Sequence, residues 1–334
     1  ASSIGSEIVR QLTSFMPSKI ILFDIAESPM YDIELELKEK YNFHNFEIII
    51  GDVRNQKLVD KVFKDFKPEY VYHAAAYKHV PMMESNPSEA ISVNVYGTKI
   101  LADTSNKYNV KKFVMVSTDK AVNPTNVMGA SKRIAEIYIQ SLFNSTATKF
   151  ITTRFGNVLG SNGSVIPRFK KQIEAGGPVT VTHPEVTRYF MTIPEACQLV
   201  LEAGNMGNGG EIFIFDIGPS VKIINLARKM IVLSGLKPGV DIQIKVTGLR
   251  PGEKLYEELL ANKENTLPTY HPQIMIAKVR EYNTTVIKSE ISGLITTAID
   301  NDKFAIVSKM KEIVPEFISK NSIYETLDSE PKNN

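Results

Sequence analysis

The apolar positions of the first 120 residues fall into short runs separated by longer amphipathic stretches. KIILFD (19–24), FEIIIGD (46–52), YVYHAAA (70–76) and KKFVMVS (111–117) are apolar, bounded by charge or glycine, and short enough for strands. Between them, SEIVRQLTSF, YDIELELKEKY, QKLVDKVFKDF and AISVNVYGTKILADTSNKY place apolar residues at helical spacing. Strand and helix alternating at this interval predict βαβ units, a parallel sheet and a doubly wound α/β fold. One more helix, ASKRIAEIYIQSLF, and one more strand, KFITTRF, continue the series.

Beyond Arg154 the alternation weakens. GNVLGSNGSVIPRF is rich in glycine and serine, and GGPVTVTHPEVTRYF mixes a short strand with turn residues. PEACQLVLEA and EIFIFDIG predict a helix and a strand able to rejoin the sheet. NLARKMIVLSGL predicts a helix, GLRPGEKLYEELL a loop that opens a helix, and SEPKNN a frayed polar tail. The pattern divides the chain into a dinucleotide-binding region, 1–156 with 191–218, and a smaller substrate-binding domain, 157–190 with 219–334. In doubly wound sheets ligands sit outside the carboxyl ends of the strands, so the loops after the strands are where chemistry is expected.

Composition narrows the function classes. Lys and Arg number 39 against 37 Asp and Glu, a net charge of +2, with no run of like charge to track nucleic acid or a membrane surface. The single cysteine, Cys197, excludes an internal disulfide, fits a reducing compartment, and sits in an apolar helical pattern that predicts a buried structural thiol. The five histidines show no metal-ligand spacing, so no metal is expected. No apolar stretch approaches the roughly 20 residues that cross a bilayer. ASSIGSEIV reads as the middle of a motif whose first strand is expected upstream, and any signal or membrane anchor there would lie outside this sequence.

SSIGSEIV opens a helix around Gly5, and free amides at a helix N-terminus attract phosphate. Asp24 ends KIILFD nineteen residues later, where a carboxylate accepts from a ribose 2′-hydroxyl and repels a 2′-phosphate, favouring NAD over NADP. The alternatives are a plain turn at Gly5 and a helix cap at Asp24. Small residues after the next two strands, Gly51 with Asp52 and Ala74, Ala75 and Ala76, let backbone approach a nucleoside.

AAAYKHVPMMESNP, VSTDKAVNPTNVMGASKR, TRFGNVLGSNGSVIPRF, HPEVTRYFMTIPEA and GLRPGEKLYEELL, in that order, resemble the extended short-chain dehydrogenase/reductases that act on nucleotide sugars. Within them the chain is similar to the polysaccharide-biosynthesis branch of UDP-N-acetylglucosamine 4,6-dehydratases, from residue 1 to about Leu260. The resemblance implies a Rossmann fold with NAD held by Ser3, Ile4, Gly5, Asp24, Asp52, Val53, Ala74, Ala75, Ala76, Asn94 and Lys132. Ser2 departs from the family pattern, which carries glycine there. The resemblance also implies a homo-oligomer, a UDP-sugar substrate and a cytoplasmic location, with a membrane region before the catalytic part in many members.

A 4,6-dehydratase takes hydride from C4, a proton from C5 and hydroxyl from C6, then returns the hydride to C6. By resemblance Asp119 donates to the departing C6 oxygen, Lys120 takes the C5 proton and Thr118 holds the C4 hydroxyl. Lysine can act as such a base where burial and a neighbouring cation lower its pKa. Alone, a Thr-Asp-Lys string is usually a helix cap with a solvated pair. Met128 stands where most short-chain dehydrogenases carry tyrosine, and a thioether cannot take a proton from an alcohol. The resemblance makes Met128 the mark of members that retain configuration at C5, with Lys132 on the nicotinamide ribose.

On the substrate side the resemblance places Asn157, Arg188, Arg250 and Glu253 on the UDP, and Gly163, Ser164, Val165 and Thr180 near uracil. Two arginines from separate loops can clamp a diphosphate, though each alone reads as a surface ion pair. Lys78 and His79 border the sugar, a structural role for His79 being the alternative. Two other functions compete with dehydration. A UDP-sugar 4-epimerase uses the same chemistry at C4 without needing Asp119 and Lys120, and a non-catalytic NAD- or UDP-sugar-binding module is suggested by Met128 and Ser2.

Overall fold

The computed structural model describes residues 2–161, 163–258, 266–278 and 280–328. The expected alternation is present: α1 (Ser3–Thr13), β1 (Ile20–Asp24), α2 (Glu27–Glu39), β2 (Phe46–Ile50), α3 (Gln56–Phe66) and β3 (Tyr70–His73). Two short helices, α4 (Val80–Ser85) and α5 (Pro87–Ala90), lead through a wide-turned π-helical stretch, Ile91–Gly97, into α6 (Thr98–Lys107). Then come β4 (Lys112–Thr118), α7 (Val127–Ser141) and β5 (Lys149–Phe155). YVYHAAA was expected to be strand throughout. The strand ends at His73, and the three alanines form the loop that follows.

After β5 lie β6 (Asn157–Val158), α8 (Val165–Glu174), β7 (Val179–Val181), β8 (Thr187–Arg188), β9 (Phe190–Met191), α9 (Ile193–Met206) and β10 (Ile212–Phe215). They are followed by β11 (Val221–Lys222), α10 (Ile223–Leu233), β12 (Ile244–Val246), β13 (Thr266–Pro268) and β14 (Ile274–Ala277). The chain closes with α11 (Thr284–Ile299) and α12 (Lys303–Ile313).

The main sheet has six strands in the order β13-β14-β10-β5-β4-β3. β3, β4, β5 and β10 run parallel, and β14 is antiparallel to β10. β10 does rejoin the sheet beside β5, as the pattern of EIFIFDIG predicts. β1 and β2 form a separate parallel pair. This is a Rossmann-like α/β fold with a mostly parallel central sheet.

Alternation along β4 sends side chains to opposite layers. Phe113 and Met115 join a cluster with α3, α6, α7, α11 and α12, whereas Val114 joins α1, α9 and β10. Phe113 and Phe150 are fully buried with ring centroids 5.4 Å apart, and burial of such a side chain contributes roughly 1.5–3 kcal/mol. Helix α7 is buried along its whole length, including Ser131, Lys132, Arg133 and Glu136.

α11 and α12, within the 219–334 segment assigned to the smaller domain, pack into this same cluster rather than against α8 and α10. α8, α10, β7 and Ile242 form their own core. KLYEELL was expected to open a helix. Residues up to Glu258 are not helical, because Lys254 and Glu257 are drawn to tertiary partners, and the remaining residues of that expectation lie outside the described ones. The SEPKNN tail also lies outside them. Among the described residues no helix is long and apolar enough to cross a membrane.

Candidate functional site

A cleft of about 620 Å³ opens at the carboxyl ends of β3, β4 and β5. It is lined by the start of α1, the loop after β3, the first turns of α7 and α8, and the Arg250–Glu257 segment. That segment docks on the stretch following Lys120. Asn126 caps α7 by accepting from the Gly129 amide at 2.7 Å and donates to the Gly252 carbonyl at 3.0 Å. Lys254 Nζ donates to the carbonyls of Asn123 (2.7 Å) and Val122 (3.2 Å). Two glycines permit the approach. A Cβ at Gly129 would lie 2.2 Å from the Lys120 carbonyl oxygen, and Gly252 has φ +78° with its Cβ position 2.5 Å from Asn126.

Thr118, Asp119 and Lys120 sit where β4 ends in one turn of 3-10 helix. Thr118 caps that turn, as the plain reading of the string has it, but the pair is not solvated. The Asp119 side chain is 0% exposed and that of Lys120 15%. Asp119 Oδ1 accepts from Lys120 Nζ at 2.9 Å and from the Thr118 hydroxyl at 2.8 Å, while Oδ2 has no partner among the described residues. Lys120 Nζ also donates to Asn157 Oδ1 at 3.2 Å and stands 3.6 Å from Glu257 Oε1.

The expected lowering of the Lys120 pKa is not found. Burial and Arg188 push it down, but the carboxylates of Asp119 and Glu257 outweigh them and hold it above the ordinary lysine value. Lys120 is therefore an ammonium in this site.

Met128 and Lys132 lie one turn apart on α7 and both line the cleft. Lys132 Nζ donates to the Val116 carbonyl at 2.8 Å. Burial pulls its pKa down to about 8, against the opposing effect of Glu136. Below pH 8 the folded chain bears the full cost of burying this charge, and stability rises with pH between about 8 and the unfolded value near 10.4. Lys132→Met is thus expected to stabilise the chain at pH 7 by up to about 3 kcal/mol. Urea unfolding midpoints at pH 7 and pH 10 check this, and an unchanged or lower midpoint at pH 7 refutes it.

On the cofactor side, Ser3, Ile4, Ala74, Ala76 and Lys132 line the cleft, whereas Gly5, Asp24, Asp52, Val53, Ala75 and Asn94 do not. Ser2 accepts from the Gly5 amide at 3.0 Å and so caps α1. The amides of Ser3 and Ile4 precede the first intrahelical bond, Ser6 N–H to the Ser2 carbonyl, and remain as anion donors. Asp24 accepts from the Ala26 amide at 2.9 Å in the turn before α2, whose N-cap, Ala26, receives no side-chain cap bond. Asp52 is held in a bidentate pair with Arg54, which keeps its carboxyl below the ordinary range. Asn94, fully buried, fixes the Tyr77 backbone and Ser131. First-turn amides, the carboxylate ending β1 and the Lys132 ammonium fit a dinucleotide.

On the substrate side, Lys78, His79, Asn157, Gly163, Ser164, Val165, Thr180, Arg188, Arg250 and Glu253 all line the same cleft. The two arginines meet on Glu253, which receives Arg188 at 3.3 Å and Arg250 at 3.4 Å. They differ in availability. Arg188 is buried and donates to the carbonyls of Thr187, Lys254 and Leu255, while the Arg250 side chain is 51% exposed. Burial, Lys78 and Arg250 lower the His79 pKa, favouring a neutral ring.

Sequence patterns missed Arg168, which reaches Thr180 at 3.1 Å, and Asn126. They also missed Glu257, whose only signal was its place in LYEELL. Buried Cys197 has its thiol pushed up to about 12 by burial and plays no part in the cleft.

Comparison with known proteins fits this geometry. The capsular polysaccharide biosynthesis protein CapD of Staphylococcus aureus is 55% identical over 301 residues, covering 90% of this chain. The match covers 49% of CapD, so the chain spans about half the length of that relative. A UDP-N-acetylglucosamine 4,6-dehydratase (inverting) of Campylobacter jejuni is 36% identical over 260 residues, covering 77% of this chain and 73% of that protein. The X-ray structure of Pen from Bacillus thuringiensis superposes with a TM-score of 0.76 at 35% identity, over 82% of this chain and 85% of Pen. The profile of the polysaccharide biosynthesis protein family matches residues 1–279. The chain belongs to that family, on the fold of the extended short-chain dehydrogenase/reductases.

Proposed function

We propose that this chain catalyses the NAD-dependent 4,6-dehydration of UDP-N-acetylglucosamine with retention at C5. One observation carries the reading: the Lys120 ammonium lines a cleft that no tyrosine at position 128 serves, and it is hydrogen-bonded at 2.9 Å to the carboxylate of Asp119, fully buried directly behind it at the end of β4. Transfer of the shared proton from Lys120 to Asp119 converts the ion pair to an amine and a carboxylic acid with no change of net charge. The amine then takes the C5 proton, made acidic by the C4 ketone, and the acid protonates the leaving C6 hydroxyl. NAD, when bound, supplies the hydride acceptor for C4 and donor for C6. Thr118, 2.8 Å from the same carboxylate, orients the C4 hydroxyl and starts its proton on the way out.

Lys132 holds the nicotinamide ribose and Asp24 the adenosine ribose. Arg250 and Arg188 neutralise the diphosphate, and Asn157 bridges the uridylate to Lys120. Absence of tyrosine beside the C4 hydroxyl supports the retaining outcome, by resemblance to members carrying methionine there. The test is incubation with UDP-N-acetylglucosamine in heavy water, followed by mass spectrometry and the C5 coupling constants. A product that has lost one water and gained one deuterium, with configuration kept, is expected. Unchanged mass with inverted C4 makes the chain an epimerase. Bound NAD with no product from any UDP-N-acetylhexosamine leaves a binding module.

A further inference from the structure

Glu257 brings a second carboxylate to Lys120 from 137 residues along the chain. Its side chain is 4% exposed, and its Oε2, like Asp119 Oδ2, is a buried oxygen with no hydrogen-bond partner among the described residues. Buried carboxylate oxygens without partners are costly unless they hold a proton or receive one during function. The charges facing Glu257 are Lys120 and Asp119 from the end of β4, Arg188 from β8, and Lys254 from its own segment. Arg188 is already shared with Glu253, and Lys254 with Glu258 and two carbonyls. Lys120 is also hydrogen-bonded to Asp119, so its ammonium lies between two buried carboxylates.

We propose that Glu257 is a positioning residue which sets whether the shared proton resides on Lys120 or on Asp119. As an anion, 3.6 Å away, it holds Lys120 as an ammonium. Once Glu257 takes up a proton, the proton of Lys120 passes to Asp119, and the amine and acid of the working pair exist together. This rests on the dehydratase reading above, and the protons balance. The C4 hydroxyl proton is stored on Glu257, and the Asp119 proton leaves with the C6 oxygen as water. Lys120 takes the C5 proton and returns one to C5 after hydride reaches C6. Glu257 then restores Lys120. Burial, the largest influence on Glu257, raises its pKa above the ordinary glutamate value, which favours uptake.

The test is competitive trace acetylation of the full chain at about pH 9, with the Lys120 rate read against Lys132 by peptide mass spectrometry. Glu257→Gln keeps the shape and removes the anion, so Lys120 is expected to label about tenfold faster, a fall of about one pH unit in its midpoint. Equal labelling overturns the proposal. If the amide variant does not fold, Glu257→Asp withdraws the charge by one methylene and is expected to raise the ratio by a smaller factor, no change again overturning it. This measurement uses no substrate, so it stands whatever reaction is catalysed. In turnover, the acid limb of the pH–rate profile is expected to move down by about the same unit in Glu257→Gln. Because glutamine cannot store the C4 hydroxyl proton, turnover falls at every pH as well; a loss with the acid limb unmoved indicates a merely structural carboxylate and sinks the idea.

Discussion

Lys120→Met is expected to lower turnover of UDP-N-acetylglucosamine by about 10²- to 10⁴-fold, the range for removal of a positioned acid–base group. Methionine keeps most of the side-chain length but holds no proton. Binding of UDP is expected to change little, because the cations proposed to neutralise the diphosphate are Arg250 and Arg188 rather than Lys120. The substitution also removes the cation between Asp119 and Glu257, two buried carboxylates. With Arg188 and Lys254, both engaged elsewhere, as the remaining cations facing Glu257, one carboxyl is expected to keep its proton, so some stability is lost as well. Activity, UDP affinity and a urea melt on the same preparation separate these effects. Turnover within threefold of the parent, on a folded protein, means that Lys120 is not the C5 base.

The second large effect lies behind the cleft. Arg154 on β5 is fully buried and makes a bidentate pair with Glu136 on α7, at 2.9 Å and 2.6 Å. Ser117 on β4 and Arg133 on α7 also donate to Glu136, and Arg133 continues to Glu316 and Tyr282 beside the terminal helices. Arg154→Met leaves the Glu136 carboxylate buried with Arg133 as its remaining cation and is expected to cost about 3–5 kcal/mol. Urea unfolding measures it, and a loss below about 1 kcal/mol contradicts the account.

The pH dependence has a definite sign. Burial works against the Glu136 anion, but Arg154, Arg133 and Ser117 more than offset it, so the folded pKa lies below 4.5. The contribution is fully present above pH 4.5 and is lost as pH falls through the folded value. In Arg154→Met that part of the acid sensitivity is expected to shrink, giving a flatter stability profile from pH 6 to pH 3.

Local pattern carried the first half of the fold. KIILFD folds as a strand and QKLVDKVFKDF as a helix because each buries a face that its own pattern announces, whereas KFITTRF is a central strand buried on both sides from Phe150 to Phe155 and is marked only as a short β-rich run. The end of the fold was less legible. TTVIKSEISGLITTAI does carry one apolar stripe, Ile287, Ile291, Leu294, Ile295 and Ala298, but nothing local to it says that the stripe packs into the cluster of α7 and α12. The string Thr118–Lys120 was legible as chemistry through its likeness to known motifs, yet its charge state was not. That depends on Glu257, a residue indistinguishable in sequence from a solvated helical glutamate. Arg188 and Arg250 were readable as cations, whereas their meeting on one carboxylate is a tertiary fact.

Helix α7 has no face in water, and it carries both Met128 and Lys132. Its amides can exchange with solvent only when the surrounding layers open, so they are expected among the slowest to take up deuterium. The Arg250–Glu257 segment, held by side-chain bonds outside any helix or strand, belongs at the fast end. The two walls of one cleft therefore differ in how they fail on warming. The substrate-facing wall can loosen while the rest of the fold persists, but the wall bearing Lys132 is lost only when the whole chain unfolds.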